Sequence, residues 1–254
     1  MKTEINELEE LRISYKQCLE ENRKNSRFVK NISSHLQLPL NQLIQFSNIA
    51  LQRIRRKQTE LSGDYLVEIK WISEELAIYI NDLMELSQLK IGESEFALEE
   101  VDIVYFLDTM RRQFQPIADN RNISFAITSD IECPYVLADY TRLAKVVNIL
   151  LRNAFRSAQD KGIVEIHVNQ KGRDMSISIF DNGTGISQEK KDSLFNVYDG
   201  NYDQNRTEGM MDFSLSICKE LMLGQNGDIY LEETQNDNNT RFVLSLPVAQ
   251  TLLD

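Results

Sequence analysis

The chain has 254 residues, with 28 Lys and Arg against 39 Asp and Glu and a formal charge of −11. That balance excludes a general nucleic-acid binder, which needs a basic stripe to neutralise phosphate. At 42% hydrophobic residues the chain can fill two modest domains, yet no apolar run approaches the roughly 18 residues that span a bilayer, and the charged start MKTEINELEE does not read as a signal peptide.

From the N-terminus, Leu8, Leu11, Tyr15 and Cys18 recur at spacings of three and four, the pattern of a helix that pairs with another. The phase runs on through Asn22 and Asn25 into Phe28, Ile32, Leu36, Leu43 and Phe46. The polar stretch RRKQTELSGD (55–64) interrupts it, and Leu66, Ile69, Ile72, Leu76, Ile80, Leu83 and Leu86 predict a second helix over Tyr65–Lys90. Two antiparallel helices on a short loop cannot bury both apolar faces alone, whereas two such hairpins make a four-helix bundle. A homodimer is therefore expected; the other reading of the stripe is one amphipathic helix packed on its own domain.

The pattern changes at 91–95. Beyond it the residues predict a strand at Phe96–Val101, a helix at Ile103–Asn120, a strand at Asn122–Thr128 and an apolar helix at Tyr140–Gln159. Strands at Ile163–Val168 and Met175–Phe180, a helix at Ser214–Leu223, and strands at Ile229–Glu232 and Arg241–Leu246 complete the set. This is α+β, with helices against one face of a mixed sheet. Cys18, Cys133 and Cys218 are scattered and form no CxxC pair, so disulfides and zinc are not expected and a reducing cytosol is the simplest setting. Two histidines, His35 and His167, are the only candidates for any histidine chemistry.

Three segments in series resemble the sensor histidine kinase core. FVKNISSHLQLPL (28–40) is similar to the family's H box, DYTRLAKVVNILLRNAF (139–155) to its N box, and FDNGTGIS (180–187), with Leu194, Phe195 and Tyr198, to its G1 and F boxes. LSICKELMLGQNGDIYLEE and TRFVLSLP match the last helix and closing strands. The resemblance covers Phe28 to Pro247. It implies an N-terminal antiparallel helical hairpin forming a dimeric four-helix bundle that carries a phosphoacceptor histidine, followed by an α/β sandwich that binds ATP with Mg²⁺. The corresponding domains are 1–27, a coiled-coil linker; 28–92, the dimerisation and phosphoacceptor-like hairpin; and 95–250, the ATP-binding domain.

The functional positions are only partly filled. Anchored on Phe28, Asn31, Ser33, Pro39 and Leu40, the H box places Ser34 at the phosphoacceptor position and His35 one residue later, where the family has an acid. A helix turns about 100° per residue, so that step changes the face. A serine hydroxyl without a base beside it is a poor nucleophile. His35 reads either as a semi-buried packing residue or, if the helix is irregular near Pro39, as the phosphoacceptor; His167, in the strand IVEIHV, reads as a surface residue. In the N box, Asn153 and Arg156 are present but the first asparagine is Ile149, with Asn148 one residue early. The resemblance gives Asn153 to Mg²⁺; an ordinary polar helix residue is the alternative. Asp181, Gly183 and Gly185 preserve the G1 box, whose aspartate accepts the adenine amino group in the family. The phosphate-cradling glycines of the G2 box are replaced by Met210, Asp212 and Ser214, of which the last two suit a helix cap.

The resemblance therefore implies a histidine-kinase-like signalling module of a two-component system with autophosphorylation lost or weak: a pseudokinase. Two alternatives stay open, an active kinase or phosphotransferase using His35 and a dimeric interaction scaffold without nucleotide binding. Expected partners are a second copy, and a response regulator or an upstream sensor domain. The helical pattern near residue 4 suggests a linker cut from a longer, membrane-bound sensor, of which this chain is the cytoplasmic part.

Overall fold

The structure, a computed structural model, describes residues 2–55, 62–91, 95–159, 161–191, 194–195, 209–234 and 239–249; the side chains of residues 27–35 and 209–213, among others, lie outside the described set. The chain divides into two compact units, Met1–Asn81 with Asn196–Met210 and Asp82–Phe195 with Met211–Asp254.

The first unit is built on α1 (Lys2–Arg55) and the greater part of α2 (Ser62–Ile91). No glycine interrupts α1, and Pro39 is its one proline. Proline has no N–H to offer the carbonyl four residues back, here that of His35, yet the backbone stays α-helical throughout with no 3₁₀ or π turn. The backbone on either side of Pro39 thus remains assigned to one helix, and the His35 side chain lies outside the described residues. Near the connection the Phe46 and Tyr65 rings lie 6.0 Å apart and the Arg53 guanidinium sits 5.1 Å above Tyr65. Ala50 and Ile72 are buried, while Leu40, Ile44, Leu51 and Ile54 on α1 and Leu66, Val67, Ile78 and Ile80 on α2 are exposed. Among the described residues no helix is long and apolar enough to cross a membrane.

The second unit is α+β. Its main sheet has the order β2-β4-β5-β7-β6, from β2 (Ser124–Asp130), β4 (Ile163–Lys171), β5 (Asp174–Asp181), β6 (Asp228–Leu231) and β7 (Thr240–Pro247). β2 and β4 are parallel and the other pairings antiparallel, so the sheet is mixed. A second, two-stranded sheet joins β1 (Glu99–Asp102) to β3 (Tyr135–Ala138). Strict alternation in β4 and β5 puts Val164, Ile166 and Val168 and Met175, Ile177 and Ile179 on the buried face. Against that face lie α3 (Ile103–Arg121) on β2 and α4 (Tyr140–Ser157) on β5.

Both helices are started by an aspartate. Asp102 accepts from the Tyr105 N–H and Asp139 from the Arg142 N–H, satisfying donors that the first turn leaves free. Phe155 of α4 stacks on Phe114 of α3, centroids 5.5 Å apart, and meets Phe125 of β2 edge-on at 5.3 Å. This cluster joins both helices to the sheet.

The structure differs from the sequence reading at several edges. Asn122 does not open a strand. It caps α3 in the left-handed conformation, φ 53°, with its N–H on the Ala118 and Asp119 carbonyls, and β2 begins at Ser124. Strand β3 and the four-residue helix α5 (Gln188–Lys191) were not expected. Helix α6 (Gly209–Leu223) begins before Ser214, so Asp212 and Ser214 lie within it and do not cap it.

Phe155→Ala should lower stability by about 3–5 kcal/mol, because the ring's burial is lost and a cavity is left between α3, α4 and β2. Chemical denaturation checks this; a loss under about 1 kcal/mol would mean that the aromatic cluster does not hold these elements together.

Candidate functional site

The site is assembled where the end of α4 meets the end of β5. On α4 the periodicity places Leu143, Val147, Leu150, Leu151 and Ala154 in the core. Arg142, Lys145, Ile149, Arg152, Asn153 and Arg156 occupy the opposite side. Ile149, half-buried, thus sits in the middle of a polar stripe. Asn148 does not take its place: its amide faces α3, accepting from Gln113 Nε2 at 2.8 Å and donating to the Ala144 carbonyl at 2.8 Å.

Asp181 is the last residue of β5, paired across the ladder with Val164 and Thr240. Its side chain is buried, 4% exposed. The Gly183 N–H donates to its Oδ1 at 3.0 Å, and the hydroxyls of Ser157 and Thr240 also bond to it. Despite these donors, burial wins and pushes the Asp181 carboxyl up to about 6. Ser157 in turn accepts from the Thr184 N–H at 3.1 Å, so one hydroxyl ties α4 to the turn that follows β5. The approach is close: a Cβ on Gly183 would fall 2.1 Å from Ser157 Oγ, so only glycine fits there. Gly185, at φ 69°, uses the left-handed region. Asn182 fastens the other side, its Oδ1 accepting from the Ile163 N–H at 2.7 Å.

Asn153 lies one helical turn before Ser157 on the same stripe. Its Oδ1 accepts from Arg156 Nη2 at 3.3 Å, and its Nδ2 is buried without a hydrogen-bond partner. An orphaned donor costs about 1–3 kcal/mol unless a water or another acceptor from outside the chain meets it. Arg156 itself is exposed. Asn153, Arg156, Asp181, Gly183 and Gly185 thus converge on one end of the second unit. The backbone of Ser34 and His35 lies in α1, in the first unit, and their side chains lie outside the described residues, as do Tyr198 and the side chains of Met210 and Asp212. Ser214 carries further interactions within the fold. His167 is exposed on β4, its Nδ1 3.0 Å from Thr128 Oγ1. Ser157 and Thr240 are the participants that sequence reasoning missed. Ser157 carried a signal, the four-residue step from Asn153; Thr240 carried none, because it reaches Asp181 through strand register.

Asp181 gives a signed pH prediction. Its carboxyl titrates near 3.8 when unfolded and about 6 when folded. Between those values the unfolded state releases its proton first, so this group's contribution is fully present below the lower value and is lost as pH rises through the upper one, a change of about 3 kcal/mol. Asp181→Asn keeps the hydrogen-bonding shape without titrating. The difference in melting temperature between wild type and variant should therefore grow in the variant's favour from about pH 4 to pH 6; a constant difference across thermal melts would refute the buried-carboxyl account.

Comparison with known proteins agrees with this geometry. Residues 138–250 match the family described as histidine kinase-, DNA gyrase B- and HSP90-like ATPase. The alginate biosynthesis sensor protein KinB of Pseudomonas aeruginosa is 25% identical over 226 residues, 89% of this chain and 37% of that protein. The sensor protein kinase WalK of Staphylococcus saprophyticus is 25% identical over 224 residues, 87% of this chain and 36% of that protein. The chain thus spans little more than a third of the length of these curated relatives. Among solved structures, the Acinetobacter baumannii histidine kinase AdeS superposes with a TM-score of 0.65 at 19% identity, covering 84% of this chain and 96% of that one. The histidine kinase ThkA, solved in complex with the response regulator protein TrrA, gives a TM-score of 0.65 at 20% identity, covering 92% of this chain and 66% of that one. The chain is thus similar over residues 138–250 to the histidine kinase-, DNA gyrase B- and HSP90-like ATPase family, and over most of its length to curated sensor kinases.

Proposed function

We propose that this chain is a histidine-kinase-like signalling module of a two-component system that retains adenine recognition and has lost, or nearly lost, autophosphorylation. The observation that carries the nucleotide half is the buried Asp181. An asparagine would make the same hydrogen bonds without a charge to desolvate, so a carboxylate held there with a raised pKa favours a ligand role. Its remaining lone pair suits an amino group such as that of adenine, with Asn153 and Arg156 flanking it, while Gly183 lets the turn close onto Ser157 and Gly185 turns the backbone through the left-handed region. Asn153 fits Mg²⁺ less well. It offers a single amide oxygen that already accepts from Arg156, and among the described residues no group of three or more His, Cys, Asp or Glu is placed to hold a metal. When bound, the metal would supply charge neutralisation on the phosphates.

The loss of chemistry rests on sequence. Ser34 stands where the phosphoacceptor belongs, Ile149 cannot take a proton, and Met210, Asp212 and Ser214 replace the glycines that would cradle phosphate. The unbroken α-helical assignment of α1 through Pro39 supports this reading, since successive residues such as Ser34 and His35 are then about 100° apart. A weak kinase using His35 is the second reading, favoured by the unpaired Asn153 Nδ2, which an incoming phosphate oxygen would satisfy.

We place the first unit in a homodimer. The exposed Leu40, Ile44, Leu51 and Ile54 follow helical spacings of four, seven and three, and α1 with α2 would cover them by forming a four-helix bundle with a second copy. The domain division 1–27, 28–92 and 95–250 accords with this role, as does a cytoplasmic position within a longer sensor, with a response regulator or sensor domain as partner.

Labelled ATP with Mg²⁺ tests the proposal. ATP at about a hundred times its Kd should stabilise the chain by about 2.7 kcal/mol, while no acid-labile, alkali-stable label should accumulate. Label that disappears in His35→Ala would establish the weak kinase instead, and no stabilisation at any ATP concentration would leave an interaction scaffold.

A further inference from the structure

The end of α2 is fastened to α4 at a place that adenine recognition does not use. Asp82, Glu85 and Leu86 belong to the same compact unit as α4. Lys145 Nζ lies 2.6 Å from Asp82 Oδ1 and pairs also with Glu85 Oε2; Arg142 Nη1 is 3.0 Å from Glu85 Oε1. Asp82 is buried, and Leu86 beside the pairs is fully buried. Past residues 92–94 the chain returns to the same two turns of α4. Phe96 lies 4.6 Å from the Arg142 guanidinium and so close to Gly224 that a Cβ there would fall 2.0 Å from Phe96 Cζ. The Ala97 N–H donates to Asp139 Oδ2 at 3.1 Å, while Oδ1 of the same carboxylate caps α4. The Asp139 N–H is held in turn by the buried Gln225, at 2.8 Å.

We propose that Asp82 and Glu85 against Arg142 and Lys145, pinned by Phe96 in its socket at Gly224, form an ionic latch through which the end of α2 holds α4 in place, and that releasing the latch lets α4 shift together with Asn153 and Ser157. Arg142 also lies 3.6 Å from Asp139, so three carboxylates share the two bases Arg142 and Lys145. An apolar contact of the same size would hold as well or better, because buried ion pairs forfeit their hydration. What paired charges add is a defined register and an interface that separates into groups water can solvate. Arg142 belongs to both halves: it meets Glu85 on one side and Phe96 on the other, so displacement of α2 is passed directly to the chain entering β1.

The inference rests on the ion pairs and not on nucleotide binding, and amide hydrogen exchange on the full chain, without nucleotide, tests it separately. Lys145→Gln should speed exchange in 82–91, 96–98 and 150–157 by at least about tenfold while β5 and β7 stay protected. Lys145→Arg should keep the wild-type pattern. Lys145→Gln strips the buried Asp82 of its ion-pair partner, while Glu85 keeps Arg142, and can unfold the chain, so Asp82→Asn with Lys145→Gln is the second variant; it removes acid and base together and should loosen the same segments. Unchanged exchange in the double variant, or loosening of β5 and β7 to the same degree as 82–98, would overturn the latch.

Discussion

The amphipathic division of α4 governs the second unit. Leu143, Val147, Leu150, Leu151 and Ala154 fasten one side of the helix to the sheet. The residues available for recognition on the other side are set by the same 3.6-residue period. Phe155 carries that constraint to α3 and β2. Ser157 carries it to the turn after β5, where the fit is close enough that Gly183 admits no side chain. Once the apolar side is seated, the polar stripe has no freedom to rotate, and Ile149 is fixed in its middle.

Asp181 shows what such a seat costs. Its carboxylate is taken out of water and given donors from its own turn, from α4 and from β7, and burial still outweighs them. Proteins keep groups of this kind where something other than stability is served. The orphaned amide of Asn153 is a second deficit one turn away. Two unfavourable polar groups at one end of a unit, beside a backbone turn pressed against a helix, are what the proposed nucleotide role rests on.

Much of the fold was legible because it is written in period. The alternation of β4 and β5 and the apolar stripe of α4 are local signals, and the structure places those elements within a few residues of the reading. The misreadings have local causes. Asn122 looked like the start of a strand because SFAIT follows it, but its tolerance of the left-handed region made it a cap. Strand β3 is four residues long and exists through its pairing with β1, which no window of sequence contains. At the site, glycines and acids of a motif could be seen, whereas Thr240 meets Asp181 only because β7 pairs with β5 in one register. Ionic contacts between Asp82 and Lys145 were invisible for the same reason, being separated along the chain and joined by packing.

The parallel pairing of β2 with β4 carries a consequence of its own. Parallel neighbours need a crossover, and here the chain between them includes α4. Helix and connection are therefore one object. Adding or removing a residue inside α4 would turn everything beyond that point by about 100° while also changing the reach between two neighbouring strands. The antiparallel joint from β6 to β7 bears no such load, and its loop can vary in length at little entropic cost. Along α4, then, side chains can change with far less consequence than their count. A side chain such as that of Ile149 can therefore differ on the polar stripe while the frame around it stays in register.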